Sequence, residues 1–426
     1  METYPADARR RYALEDHGFE SLSRQVSRAN TVCQSTCNVV IVGVDADRDI
    51  VGTSIQPHLE KPAQVRPSFR EGVCIIIPRA NISWYYENRK KNNPYLSIQG
   101  IPLRNKMSFP HVPPSGIWVP AVTPFDHTAD TIDIESFKKY CAYLSSHLTG
   151  LVILGTNAEA FLLTRDERFA AIKAAREAAG PGYPIMAGVG AYSTKQVLEL
   201  ANDAAEAGAN YLLVLPPAYF GKATTPAVVK RFFADIAAKA PLPVVVYNFP
   251  GVTNGVDIDS ETIADIVRTS KEASGGKSNV VGVKLTCAQV GKITRLTAAF
   301  GPDEFAVFGG QADFLIGGLS VGSAGCIAAF ANVVPKTIMQ IYRLYKAGEV
   351  EKALALHRKA ALAESPCKSG IASTKYAAAI VSASTAGIEN AEEKFKPRTP
   401  YEEAGESMKA NVRKVMAEVI AIEDSL

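Results

Sequence analysis

An α/β fold of the (β/α)₈ TIM-barrel type is what this sequence predicts, and three observations predict it. From Gly116 onward, short apolar runs alternate with amphipathic helical stretches. The alternation repeats eight times, and the repeats fill roughly 220 residues, the size of one closed parallel barrel. An open doubly wound sheet would begin on a Gly-rich dinucleotide fingerprint, and no G-x-G-x-x-G follows the first strand.

The eight strands are expected at Ile117–Val122, Leu151–Leu154, Ile185–Val189, Tyr211–Leu215, Val244–Tyr247, Val280–Leu285, Phe305–Phe308 and Cys326–Ala329. Each is short and largely apolar, as a strand covered on both faces must be. The helices between them carry start signals. Thr164-Arg-Asp-Glu167 and Ser193-Thr-Lys-Gln196 have the form of capping boxes, and Thr225-Pro226 pairs an N-cap with proline at the first helical position. Val197, Leu198, Ala201, Ala204 and Ala205 recur on one face at helical spacing. Beyond the last strand, Leu354–Ala363, Ser373–Ala386 and Ser407–Ile420 form further helices. The expected organisation is therefore an N-terminal extension over residues 1–106, a barrel over 107–345 and a C-terminal helical annex over 346–426.

The extension differs in character. It holds two short apolar runs, Asn38–Val44 and Val73–Ile77, in polar, Pro-rich surroundings. Two strands do not bury a core alone, so poor order is expected there. Met107 stands where an independent start would, ahead of the first barrel strand.

At 426 residues, 47% hydrophobic and 21% charged, the chain has an ordinary globular composition. Its net charge of +3 is uneven: residues 1–106 hold 15 Lys/Arg against 11 Asp/Glu, the remainder 31 against 32. A near-neutral globular part argues against nucleic acid as a partner. No apolar run reaches membrane-spanning length. The seven cysteines are odd in number and form no C-x₂-C pair, which fits reduced thiols better than disulfides or zinc. Arg9, Arg10, Arg11, Arg24 and Arg28 hint at an import signal, but Asp7, Glu15, Asp16 and Glu20 interrupt them. A cytoplasmic location is expected, with mitochondrial import as the alternative.

Chemistry in such a barrel sits at the C-terminal ends of the strands. The sixth strand runs Val280-Val-Gly-Val-Lys284-Leu-Thr286. Burial of an ammonium is costly and favours the neutral amine, the form that attacks a carbonyl carbon. A lysine snorkelling to solvent or paired with a carboxylate is the plain alternative. The fifth strand ends Tyr247-Asn-Phe-Pro250, which offers either a proton-shuttling phenol or a core aromatic. The second ends Gly155-Thr-Asn-Ala-Glu159, which suits either a carboxylate cradle of backbone N–H groups or an ordinary turn. The fourth ends Pro216-Pro-Ala-Tyr219-Phe220, where Tyr219 is a second phenol or loop packing. Gly309-Gly310 and Gly322-Ser-Ala-Gly325 suit phosphate or simply leave a ligand room. The six histidines avoid every strand and have no ligand spacing, so no metal is expected and carbonyl activation falls to an amine.

Three motifs in order, Gly155-Thr156-Asn157-x-Glu159, Tyr247-Asn248-x-Pro250 and Gly282-Val283-Lys284, make residues from about 115 to about 400 resemble the class I aldolase family of dihydrodipicolinate synthase and N-acetylneuraminate lyase. The resemblance implies that Lys284 forms a Schiff base with a 2-oxo acid and that Tyr247 relays protons. It implies that Thr156 and Asn157 grip the pyruvyl carboxylate, with Thr156 also a relay hydroxyl, and that Tyr219 reaches a neighbouring subunit's site. It further implies a lining role for Ile327, a backbone contact for Gly310, a homotetramer, and no cofactor. Asn157 is closer to the 4-hydroxy-2-oxoglutarate aldolase version of the loop, and a 2-keto-3-deoxy sugar acid aldolase fits as well. Synthases that use an amino-acid-derived aldehyde usually place an Arg after the tyrosine motif; here Gly251-Val-Thr-Asn-Gly255 has none. A dihydrodipicolinate synthase is the second expectation within the family, and a non-catalytic binding relative is the alternative of another class.

Overall fold

The computed structural model describes residues 109–426 throughout and, ahead of them, three strands: β1 (Val39–Asp45), β2 (Ile50–Ser54) and β3 (Gly72–Pro78). The chain divides into two compact units, Met1–Asn105 and Lys106–Leu426. In the first, β1 lies between β2 and β3, antiparallel to both. β1 and β3 coincide with the two apolar runs of the sequence. The rest of the span for which poor order is expected lies outside the described residues.

The second unit is a closed barrel of eight parallel strands: β4 (Gly116–Pro120), β7 (Gly150–Ile153), β8 (Ile185–Gly188), β9 (Tyr211–Val214), β10 (Val244–Asn248), β11 (Val280–Leu285), β12 (Ala306–Gly309) and β13 (Gly325–Ile327). A small hairpin of β5 (Phe125–Asp126) and β6 (Thr131–Ile132) follows the first of them. Every strand lies within two residues of its sequence expectation. All residues of the eight strands are buried, because the interior face meets packed side chains and the outer face meets helices.

Helices α1 (Ile134–His147), α2 (Arg165–Ala179), α3 (Thr194–Ala207), α4 (Pro226–Lys239), α5 (Ser260–Ala273), α6 (Val290–Ala299), α7 (Leu315–Leu319) and α8 (Pro335–Lys346) alternate with the strands. At α2 the capping box is complete: Thr164 accepts from the Glu167 N–H, and the Glu167 carboxylate accepts from the Thr164 N–H. At α3 only half of the expected box forms. Ser193 accepts from the Gln196 N–H, while the Gln196 amide oxygen turns to the Ser193 hydroxyl instead of the backbone. Val197, Ala201 and Ala204 of α3 are buried as expected, and Ala207 joins them.

Inside the barrel, Trp118, Met186, Tyr211, Val245, Tyr247, Val281, Phe308 and Ile327 form one cluster, so the centre is filled rather than hollow. Trp118 meets Tyr211 and Phe308 edge-on. The segment just before β4 seals the N-terminal end: the Trp118 indole donates to the Pro114 carbonyl at 3.0 Å, and the Tyr211 hydroxyl to that of Pro110 at 2.7 Å. Only the opposite end is left for chemistry. The annex follows as α9 (Val350–Glu364), α10 (Ile371–Ala378) continuing into a π-turn at Ala379–Ala383, α11 (Ala391–Lys394) and α12 (Glu406–Ser425).

Candidate active site

β10 turns Val245 and Tyr247 into the interior cluster and Val244 and Val246 toward the helices, the alternation a strand requires. Its neighbour β11 breaks that alternation once. Pairing passes from Val244–Val280 directly to Val245–Gly282, which leaves Val281 as an extra residue. Val281 faces the interior. Three residues later, an odd step, Lys284 pairs with Tyr247 and shares its facing. The bulge makes both orientations compatible; such bulges re-aim side chains near sites.

Lys284 is 2% exposed, with its Nζ 4.2 Å from the centroid of the Tyr247 ring. Among the described residues two other lysines are comparably buried, Lys292 and Lys375, and both have counter-ions. Lys292 pairs with Asp257 and also donates to the Ile258 carbonyl. Lys375 pairs with Glu159 at 2.6 Å. Among the described residues, Lys284 has no carboxylate within ion-pair distance. A buried amine without a counter-ion has no structural use for its charge, since an unpaired charge there only costs free energy.

The Tyr247 hydroxyl lies 3.4 Å from the Thr156 hydroxyl, and its ring stacks on Phe249. Thr156 opens a short 3₁₀ turn, Thr156–Ala158, after β7. Its first N–H groups, those of Thr156 and Asn157, precede the first internal bond and remain available. The Ala158 and Glu159 N–H groups are taken, by the Gly155 and Thr156 carbonyls. Thus Lys284, Tyr247 and Thr156 converge, with Asn157 on the same turn. Ile327 belongs to the interior cluster that contains Tyr247.

Two other expected residues stand differently. The Gly310 N–H donates to the Leu285 carbonyl, which leaves only its carbonyl free. A Cβ on Gly310 would lie 2.1 Å from the Thr286 hydroxyl, so close approach explains the glycine. Tyr219 is 72% exposed and packs on Phe220 and Tyr192.

Several participants escaped the sequence. The Thr286 hydroxyl, two residues beyond Lys284, is buried without a partner; its position after the lysine was the available signal. Asn248 of the tyrosine motif is structural: it donates to Asp257 and accepts from the Ile258 N–H, which pins the loop after β10. Annex residues hold two mouth loops. Glu159 meets Lys375 and the Arg398 N–H. Ala312, two residues past Gly310, donates to Glu364 at 3.2 Å, and its carbonyl lies 2.8 Å from the His357 Nε2. Burial, with Asp313 close by, pushes the Glu364 carboxyl up to about 7. Burial pulls the Lys375 amine down to about 8 against the opposing pull of Glu159. Among the described residues no group of His, Cys, Asp and Glu has a metal-binding arrangement.

Residues 113–419 match the dihydrodipicolinate synthetase family. This chain belongs to that family. It is 68% identical over 318 residues to a Coccidioides immitis (strain RS) protein provisionally named a mitochondrial 4-hydroxy-2-oxoglutarate aldolase, a match covering 74% of this chain and 99% of that protein. It is 35% identical over 277 residues to an L-threo-3-deoxy-hexylosonate aldolase of Hypocrea jecorina, covering 62% of this chain and 85% of that protein. A crystal structure of a dihydrodipicolinate synthase family protein from Coccidioides immitis superposes with a TM-score of 0.69 at 64% identity, covering 74% of this chain and 99% of that one. The resemblance drawn from three short motifs is thereby extended along the barrel and nearly all of the annex.

Proposed function

We propose that this dihydrodipicolinate synthetase family member is a Schiff-base-forming lyase that cleaves a 2-oxo acid reversibly into pyruvate and an aldehyde. The observation that carries the proposal is the buried Lys284 amine, without a counter-ion, beside the Tyr247 ring. Lys284, as the free amine, attacks the 2-oxo carbon, and loss of water from the carbinolamine leaves an iminium. Tyr247, in contact with Thr156, takes the proton of the C4 hydroxyl. The C3–C4 bond breaks, its electron pair flows into the iminium to give an enamine, and the aldehyde departs. Protonation at C3 and hydrolysis release pyruvate and restore the amine. The N–H groups of Thr156 and Asn157 bind the carboxylate, and Ile327 lines the pyruvyl pocket beside the Gly310 carbonyl.

The substrate we favour is 4-hydroxy-2-oxoglutarate, with 2-keto-3-deoxy sugar acids next. Asn157, the absence of Arg from Gly251–Gly255 and the printed names of the two relatives support that order. Reduction with borohydride in the presence of pyruvate, followed by intact mass and peptide mapping, should place the adduct on Lys284; no adduct would sink the proposal. Product assays should then show glyoxylate from 4-hydroxy-2-oxoglutarate, whereas turnover only with aspartate semialdehyde would reject the substrate.

A homo-oligomer, a tetramer by the family resemblance, belongs to the same proposal. Phe161, Tyr192, Tyr219 and Phe220 are each at least half exposed and pack on one another, a surface suited to burial against a second copy that would carry Tyr219 toward the neighbouring site. Light scattering of wild type and Tyr219→Ala tests it. Among the described residues no helix is long and apolar enough to cross a membrane. The name of the Coccidioides relative favours mitochondrial import over the cytoplasm. Residues 1–106 stand outside the catalytic unit in this proposal, so their deletion should leave turnover intact.

A further inference from the structure

The turn bearing Thr156 and Asn157 ends on Glu159, a non-glycine residue held in the left-handed region at φ 57°, ψ 36°. That conformation costs free energy and persists only where surrounding contacts impose it. Its carboxylate does not face the mouth. The side chain is 2% exposed and enters the seam with the annex, where one oxygen meets Lys375 at 2.6 Å and the other accepts the Arg398 N–H at 2.8 Å. Lys375 is itself fully buried, donates to the Lys396 carbonyl at 2.8 Å and sits over the Phe125 ring. Arg398 ties the same seam to Asp130, Glu167 and the Leu162 carbonyl. The preceding residue of the turn is held as well, its Ala158 carbonyl accepting from the buried Thr123 hydroxyl at 3.0 Å.

We propose that Lys375, acting through Glu159, is a positioning residue for the substrate carboxylate: the pair locks the Thr156–Asn157 turn so that its free N–H groups aim into the pocket. The inference rests on the aldolase reading and deepens it. Stabilisation alone is a weak explanation for the pair, because replacing a buried ion pair by neutral groups of similar size is often neutral or favourable to stability. A charge pair at 2.6 Å fixes direction, and direction is what a bound carboxylate requires.

The test compares borohydride trapping of Lys284 by pyruvate with trapping by hydroxyacetone, a ketone without a carboxylate. The variants are Glu159→Gln combined with Lys375→Met, which removes both charges, and Glu159→Asp, which keeps the pair but shortens one arm and tolerates the left-handed region. In both, the pyruvate concentration for half-maximal trapping should rise about tenfold or more, while hydroxyacetone trapping stays within about twofold of wild type. Circular dichroism verifies folding, and Glu159→Asp carries the test should the double variant unfold. An unchanged pyruvate dependence in a folded variant overturns the proposal. So does an equal loss with both ketones, which marks the pair as merely structural. Failure of wild type to trap either ketone overturns the aldolase reading itself.

Discussion

Two buried lysines have opposite surroundings. Lys375, in the annex seam, is enclosed by a carboxylate, a carbonyl and an aromatic face. Lys284, in the barrel mouth, has an aromatic face and no counter-ion among the described residues. Burial of an amine is therefore not in itself a sign of chemistry. The informative quantity is whether the surroundings have already used its charge. Where they have, the residue holds structure; where they have not, it is left for an incoming carbonyl.

Four substitutions sharpen or break that contrast. Lys284→Met should have the largest effect, with turnover and imine trapping both falling below detection while the thermal midpoint is not lowered, because no partner is stranded. A clear drop in midpoint would mean that Lys284 is structural after all. Tyr247→Phe should slow turnover by about 10²–10⁴, the usual weight of a general acid–base group, measured as kcat at saturating substrate. Lys375→Met alone should lower stability as well as weaken pyruvate binding. It strands the Glu159 carboxylate in the seam and should cost about 3–5 kcal/mol in denaturant unfolding.

Glu364→Gln is the mildest of the four. The folded-state value of about 7 lies above the ordinary carboxyl value, so the folded protein holds this proton more tightly than the unfolded chain. Stability contributed by the protonated form is complete below the unfolded value and is lost as pH rises toward 7, by an amount on the order of 3 kcal/mol. The Gln variant should lose that part of the pH dependence. A difference in unfolding free energy between the two proteins that stays constant from pH 4 to pH 8 would show that Glu364 does not titrate there.

Much of this was legible in the sequence because it is local. Short apolar runs between stretches of period 3.6 placed all eight strands, and the Thr164 cap follows from residues three apart. Lys284 is visible as a charge within an apolar run. What stayed hidden is long-range. Glu159 and Lys375 are 216 residues apart, and neither announces the other. The clamp on Ala312 depends on side chains 45 and 52 residues away. The sealing of the barrel floor by Pro110 and Pro114 depends on carbonyls, which every residue has and no motif can single out. β2 is five residues of mixed polarity, which no apolar run marks. The Gly310 N–H is taken by the Leu285 carbonyl, which leaves its own carbonyl for the backbone contact expected there.

The extra residue in β11 has a consequence for how such a scaffold tolerates length changes. Excising Val281 would restore an uninterrupted pleat without touching any residue assigned to the chemistry. Strand parity would then turn either the residues below the excision or those above it through half a revolution. In the second case the amine would point among the surrounding helices, and a protein with every motif intact would have its proposed nucleophile on the wrong side of the wall.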